Sequence, residues 1–312
     1  MNSLNEYDNM SMQMNLREKI KKSLFLLDGA MGTQLIARGI NVGTCNDYLN
    51  IESPDIISEI HCAYLQAGSD AITTNTFSAN QYALARHGLS EEAEQINKAG
   101  AQIARHVAGK EHYVLGDVGP TGDFLEPLGN LKPAECKDAY ARQAEALLIG
   151  GVDGLIIETV TALDEMTLII QAVKSLCADL PVFASMSFDK VGDDFKTMMG
   201  VGIEAMASTI IPLGIDAIGF NCGTATLEEY VELADKLFSA VRKLSDDILI
   251  FAQPNAGKPK LVDGKAVYKV TPEDFAVAAE KIYSIGINIL GGCCGTSPAH
   301  IKALADKIKP LL

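Results

Sequence analysis

The sequence predicts a single-domain α/β protein folded as a closed (β/α)8 barrel. Three observations carry that prediction. Short apolar runs rich in β-forming residues recur eight times along the 312 residues. Each run is followed by a longer segment whose apolar residues return at helical spacing. Four of the runs are entered through one local turn: Ala67-Gly68-Ser69-Asp70-Ala71, Gly150-Gly151-Val152-Asp153-Gly154, Leu213-Gly214-Ile215-Asp216-Ala217 and Ile285-Gly286-Ile287-Asn288-Ile289.

In chain order the strands are expected at Phe25–Ala30, Ala71–Phe77, Tyr113–Gly119, Gly154–Val160, Pro181–Phe188, Ala217–Cys222, Ile248–Asn255 and Ile287–Cys294. They are apolar on both faces, as parallel strands covered by helices must be. The helices are expected at Pro54–Ala67, Glu91–Ala108, Pro133–Ile149, Leu163–Ala178, Ile203–Leu213, Leu227–Leu244, Pro272–Ile285 and Pro298–Lys309. Proline at the start of several suits the first helical turn, where its missing N–H costs nothing. Glycine at 68, 150, 214 and 286 suits a left-handed helix end. The following Asp or Asn is read as repeated turn chemistry. A doubly wound open sheet is the competing architecture, but no Gly-x-Gly-x-x-Gly follows a strand. Residues 1–20 are expected to form a flexible tail and residues 21–312 the barrel.

Charge and composition narrow the function. Lys plus Arg number 26 against 40 Asp plus Glu, a net charge of −14. Such a chain repels phosphate backbones, so nucleic acid is not an expected partner. No apolar run reaches the roughly 18 residues of a membrane span. The polar N-terminus has no secretory character. A cytoplasmic location is expected, where seven cysteines would be free thiols, metal ligands or catalytic groups.

Barrels of this class place their chemistry at the C-terminal strand ends. Those ends read Asp28-Gly29-Ala30-Met31-Gly32-Thr33, Thr74-Asn75-Thr76-Phe77, Gly116-Asp117-Val118-Gly119, Glu158-Thr159, Ser185-Met186-Ser187, Asn221-Cys222-Gly223, Gln253-Pro254-Asn255-Ala256-Gly257 and Gly291-Gly292-Cys293-Cys294-Gly295-Thr296. Cys222 closes the sixth strand, and Cys293 and Cys294 the eighth, two positions away on the same rim. Three thiols with one open position suit a catalytic zinc. Adjacent residues on a regular strand face opposite ways, so Cys293 and Cys294 need an irregular turn, and the neighbouring glycines permit one. Spacing alone leaves a vicinal redox pair and inert packing residues open as well.

Cys62, Cys136 and Cys177 fall within expected helices and read as packing residues. The five histidines (His61, His87, His106, His112 and His300) lie on helices or at the wrong strand ends, so none is expected to bind metal or act as a base. No lysine stands at a strand end for Schiff-base chemistry, which argues against an aldolase-type barrel.

Taken together, Asp28-Gly29-Ala30-Met31-Gly32-Thr33, Asn221-Cys222 and Gly291-Gly292-Cys293-Cys294-Gly295-Thr296 resemble the signature of the homocysteine S-methyltransferases. Thr74-Asn75-Thr76-Phe77, Phe195-Lys196-Thr197-Met198-Met199-Gly200 and Pro254-Asn255-Ala256-Gly257 bring the resemblance nearer to the N-terminal homocysteine-binding domain of cobalamin-dependent methionine synthase. The similarity spans residues 20–310.

The resemblance implies one Zn²⁺ held by Cys222, Cys293 and Cys294, with the thiolate of L-homocysteine as fourth ligand. It places Asp28 and Glu158 near the substrate ammonium, and the backbone of Gly29, Ala30, Met31, Gly32 and Thr33 near its carboxylate. Asn221 would shape the site, with Asp117 and Thr159 as further candidates. The expected reaction moves a methyl group onto homocysteine to give methionine. The donor would be methylcobalamin on a corrinoid protein, or separate methionine synthase modules linked to methyltetrahydrofolate. Small donors such as S-methylmethionine or a betaine are the alternative, as is a thiol-binding subunit active only in a complex. The chain has no Trp to cage a quaternary ammonium, leaving Tyr48, Tyr82 and Tyr268 for that task. Lys258–Val270 is expected to form a lid or docking loop.

Overall fold

The computed structural model describes residues 15–262 and 265–311. Eight strands build one sheet: β1 (Phe25–Leu26), β2 (Ala71–Thr73), β3 (Tyr113–Val118), β4 (Gly154–Val160), β5 (Val182–Met186), β6 (Ala217–Asn221), β7 (Leu249–Gln253) and β8 (Ile289–Leu290). All neighbours are parallel, and the order runs β1-β8-β7-β6-β5-β4-β3-β2. Eight helices cover the outside: α1 (Pro54–Gln66), α2 (Ala93–Ala108), α3 (Pro133–Gly150), α4 (Leu163–Leu176), α5 (Ile203–Ile210), α6 (Leu227–Arg242), α7 (Pro272–Ile285) and α8 (Pro298–Ile308). This is the expected (β/α)8 barrel, nearly closed. At the seam between β1 and β2, Asp70 N–H donates to Leu26 O and Leu26 N–H to Asp70 Oδ2, at 2.7 and 2.9 Å.

The repeated turn explains how the barrel is fastened at its base. Glycines 68, 151, 214 and 286 all take positive φ, between 82° and 111°, and so end their helices. The aspartate two residues after each of the first three then bonds twice to the preceding odd strand. Asp153 N–H donates to Val114 O while its Oδ2 accepts from Val114 N–H, both at 2.8 Å. Asp216 does the same with Val182, at 2.8 and 2.9 Å. The backbone of one strand is thus closed by the side chain of the next. Asn288, in the fourth copy, offers its carbonyl to Phe25 N–H.

The barrel interior is layered. Phe25, Ala71, Tyr113, Leu115, Ile156, Phe183, Ala217, Phe251 and Ile289 fill its lower part. Leu16 and Ile20, from a helix at Leu16–Lys22, join that cluster. The expected boundary between tail and barrel, at residue 20, falls inside this helix. Residues 1–14 lie outside the described residues.

Strand alternation carries five of the strands upward by two from apolar to polar. Thr73, Asp117, Glu158, Ser185 and Gln253 follow Ala71, Leu115, Ile156, Phe183 and Phe251.

Some elements differ from expectation. The strands read at Phe25–Ala30 and Ile287–Cys294 are only two residues each, Phe25–Leu26 and Ile289–Leu290. Gly291 N–H still donates to Ala252 O, the bond that completes the Leu290–Ala252 pair, and Gly292 N–H donates to Asp28 O beyond the last regular pair, Leu26–Leu290. Two hairpins were not expected. One pairs Asp189–Val191 with Asp194–Lys196 after β5. The other pairs Lys260–Val262 with Lys265–Val267, inside the expected lid segment, whose residues 263–264 lie outside the described residues. Cys136 is buried and Cys177 half-buried, whereas Cys62 is exposed; the residue that α1 buries there is His61. Among the described residues, no helix is long and apolar enough to cross a membrane.

Candidate metal and substrate site

Cys222 immediately follows β6, in a left-handed conformation with φ +57°. Such a backbone is rare without glycine, and its strain is held by neighbours. Cys222 N–H donates to Gln253 O, and the Tyr230 hydroxyl donates to Cys222 O at 2.7 Å. Cys293 and Cys294 lie beyond β8, in the irregular turn that spacing required. Thr296 N–H and Oγ1 both donate to Cys293 O, at 3.1 and 2.7 Å. Gly295, at the third position of this turn, has φ +81°, which a residue with a Cβ resists. Two bonds to the loop after β7 brace the pair: Cys293 N–H to Pro254 O and Ala256 N–H to Cys294 O, each 2.9 Å.

The three sulfurs all lie within 4.8 Å of one another, and Cys222 Sγ stands 3.8 Å from Cys294 Sγ. With Zn–S bonds of about 2.3 Å, two sulfurs of a tetrahedral zinc lie about 3.8 Å apart. The donor set therefore fits that ion. The thiols also share protons unevenly. Hydrogen bonds from Cys222 and Cys293 push Cys294 down to about 3. Donation to Cys222 and Cys294, together with burial, holds the Cys293 thiol well above its usual range.

Asn221, fully buried, organises the surroundings. Its Oδ1 accepts from Thr159 N–H and Ser185 Oγ, both at 2.8 Å. Its Nδ2 donates to Thr159 Oγ1 at 2.7 Å and faces Cys293 Sγ at 3.8 Å. This clamp holds Thr159 in its own left-handed conformation, φ +60°.

A cavity of about 330 Å³ opens beside the sulfurs. Gly29, Ala30, Met31, Gly32 and Thr33 line one side, Asp117, Glu158, Thr159 and Gln253 the base, and Cys222, Cys293 and Cys294 another side. Thr33 Oγ1 accepts from Gly295 N–H at 3.0 Å, tying the first loop to the cysteine turn.

The carboxyls there are crowded and poorly solvated. Burial, then the Cys294 and Asp28 charges, push Glu158 up to about 8. Asp117 is raised by burial and then by Glu158, and its Oδ1 has no hydrogen-bond partner. Gln253 Oε1 is likewise buried and unpartnered.

Asp28 stands one step back. It is buried outside the cavity wall, and its carboxylate accepts from Thr73 N–H and Thr73 Oγ1 at 2.9 and 3.0 Å. Burial raises it to about 7. None of the five histidines lines the cavity, and neither do Tyr48, Tyr82 and Tyr268; its aromatic wall is Phe77.

Residues 25–308 match the sequence pattern described as homocysteine S-methyltransferase. The chain belongs to the homocysteine S-methyltransferase family. Among its relatives, methionine synthase of Mycobacterium tuberculosis is 34% identical over 311 residues and that of Mycobacterium leprae 33% over 313. Each alignment covers 94% of this chain and 25% of the relative, so the chain spans about a quarter of their length. The metallated Escherichia coli homocysteine methyltransferase MmuM superposes with a TM-score of 0.76 at 24% identity, over 95% of this chain and 100% of that one. A methyltransferase from Methanosarcina mazei shares the fold at a TM-score of 0.59 and 11% identity, over 96% and 98% of the two chains. Membership in the family agrees with the resemblance read from the cysteine and Asp28–Thr33 motifs.

Motif reading missed three residues that line this cavity. Asn46 and Asp47, from the loop after β1, line the cavity, and Asp47 Oδ1 accepts from Ser78 N–H at 2.9 Å. Nothing in their local sequence marks them. Gln253 was quoted at a strand end without a role. Its position two residues above Phe251 in the alternation was the available signal.

Proposed function

We propose that this chain methylates the thiolate of L-homocysteine to give methionine, at a zinc held by Cys222, Cys293 and Cys294. One observation carries the reading: three sulfurs within 4.8 Å of one another stand beside a small cavity based on unpartnered acceptors. Zinc bound there would keep an incoming thiol deprotonated near neutral pH, the state in which sulfur is nucleophilic.

The chain's own residues would orient the amino acid around that sulfur. An ammonium presents three N–H donors, and the cavity base offers Asp117 Oδ1, the Glu158 carboxyl and Gln253 Oε1 as acceptors. A cation there relieves the cost of two crowded carboxyls. The backbone amides along Gly29–Thr33 would take the substrate carboxylate. Asp28 would act from behind, holding Thr73 and, through its carbonyl, Gly292. Asn221 would fix Thr159 and the Cys293 sulfur. Transfer then needs positioning and an activated sulfur rather than a general base, consistent with a cavity free of histidine.

The donor is proposed to be a methylated corrinoid carried by a partner protein or module. Large apolar side chains stand exposed on the loops around the mouth. Phe124 and Leu128 follow β3, Val191 and Met198 follow β5, and Ile36 and Val42 follow β1, each more than half exposed. Such a rim suits a macromolecular partner better than a small solute.

The test is zinc content of the reduced protein, followed by methyl transfer to homocysteine from methylcobalamin, S-methylmethionine, glycine betaine, or methyltetrahydrofolate with a corrinoid protein. One zinc per chain and transfer from a corrinoid donor are expected. Transfer from S-methylmethionine or betaine alone would move the reading to a small-donor enzyme. Thiol binding with no transfer from any donor would leave a binding subunit, and absence of zinc would overturn the proposal.

A further inference from the structure

Beyond Thr73 the second strand parts from its neighbour, and two hydroxyls take over its bonding. Regular pairing of β2 with β3 ends at Thr73–Leu115. Tyr113 N–H donates to Asp70 O and Thr74 N–H to Leu115 O, in the alternation of a parallel ladder. Continued by two residues, that ladder would join Asp117 N–H to Thr74 O and Thr76 N–H to Asp117 O. It does not continue: Thr76 N–H turns back to Thr74 O at 3.0 Å. Asp117 N–H donates instead to Thr74 Oγ1 at 2.9 Å, and Thr76 Oγ1 donates to Asp117 O at 2.8 Å. The two hydroxyl oxygens stand 2.6 Å apart. With the Thr76 proton on the Asp117 carbonyl, Thr74 is the donor between them. The bonds therefore run in one direction, from the Asp117 amide through both hydroxyls to the Asp117 carbonyl. Both threonines are buried and line the cavity. Their turn is braced from behind, where Gln143 Nε2 donates to Thr76 O at 3.0 Å and Asn50 Nδ2 to Asn75 O at 2.8 Å. All of this fixes the Asp117 backbone and leaves its Oδ1 without a partner.

We propose that Thr74 and Thr76 are positioning residues: their hydroxyls replace two missing ladder bonds and hold Asp117 so that its free carboxylate oxygen meets the ammonium of the bound amino acid. The proposal rests on the reading of the cavity as a homocysteine site. A carboxylate that must accept from a ligand cannot be fixed by protein donors on the same oxygen. Fixing it through its own peptide keeps the oxygen available and its position set in advance.

The test compares two thiols on zinc-loaded protein by calorimetry: L-homocysteine, and 4-mercaptobutyrate, which is homocysteine without the ammonium. In Thr74→Val and in Thr76→Val, Kd for homocysteine is expected to rise about 10- to 100-fold, the scale of a misplaced contact. Kd for 4-mercaptobutyrate is expected to stay within about twofold, as for an independent site. Thr76→Ser, which keeps the hydroxyl, is expected to bind homocysteine like wild type. In an Asp117→Asn background the valine changes are expected to add nothing further, because the contact they serve is already gone. Where a valine methyl is not accommodated beside Asp117, Thr74→Ala and Thr76→Ala remove the same hydroxyls. Homocysteine binding unchanged in the hydroxyl-free variants, or equal weakening of both thiols, would overturn the assignment while leaving the homocysteine reading intact. Zinc-loaded wild-type protein that binds neither thiol would overturn both.

Discussion

A buried carboxylate oxygen with no donor is expensive, and Asp117 carries one at the base of the cavity. Its purpose is then best sought in what enters. Replacing Asp117 by Asn keeps the shape but exchanges an anionic acceptor for a neutral amide. We expect KM for homocysteine to rise about 10- to 100-fold, the range of a lost charge-assisted bond, with kcat little changed. An equal fall in kcat would assign Asp117 to the transfer step instead.

His61 makes a second residue-scale prediction. Both ring nitrogens are buried and unpartnered on α1, and burial lowers the ring to about 4. The unfolded chain protonates this histidine below about 6.5 and the folded chain resists, so its contribution is complete above pH 6.5 and lost as pH falls toward 4. That slope amounts to about 3 kcal/mol. His61→Leu is expected to flatten stability against pH over this window, measured by urea unfolding; parallel wild-type and variant curves would refute it. The motifs made the cysteines legible and left Asp117 a lesser candidate, because an acid at a strand end advertises nothing about whether its partner is protein or ligand.

At the scale of elements, the Gly-x-Asp turn was visible in the sequence, but its bonding was not. Each glycine ends a helix through its own φ, a local property. Each aspartate acts on a strand some 34 to 44 residues earlier, across a sheet that must already be curved. Asp216→Ala is expected to cost about 1.5–3 kcal/mol, as loss of a charged acceptor does. It leaves Val182 N–H and the neighbouring Arg17 without their partner. Zinc stoichiometry should stay unchanged, because the change is at the opposite end of the barrel. A stability within 0.5 kcal/mol of wild type, the range of ordinary surface changes, would show that the double bond to β5 is incidental. The same distinction explains the short β1 and β8. Their apolar runs were legible as strands, yet regular pairing stops at Leu26–Leu290, and Gly292 N–H goes on to Asp28 O, a partner that no local reading identifies.

At the scale of the whole molecule, the layered interior assigns tasks by depth. Apolar residues and the helix at Leu16–Lys22 fill the base, polar residues fill the layer above, and sulfur stands at the rim. The segments above the rim expose apolar side chains, where the proposed methyl donor would dock. Leu128→Asp combined with Met198→Asp is expected to reduce transfer from a corrinoid protein at least 10-fold, while homocysteine binding by calorimetry stays within twofold. Equal loss with free methylcobalamin would place the defect in the site rather than in docking.

The sequence by itself determined the alternation of eight strands and eight helices, the glycine-ended turns, and which sulfurs stand at strand ends. Each of these follows from periodicity or from the conformational range of single residues, which act over a few positions. Only the tertiary structure decided that Cys222 meets Cys294 at 3.8 Å, that Thr73 takes up the Asp28 carboxylate, and that Tyr268 lies on Gly295. Those contacts join residues 45 to 72 apart in the first two cases and depend on barrel closure, which fixes distances that no stretch of chain encodes alone.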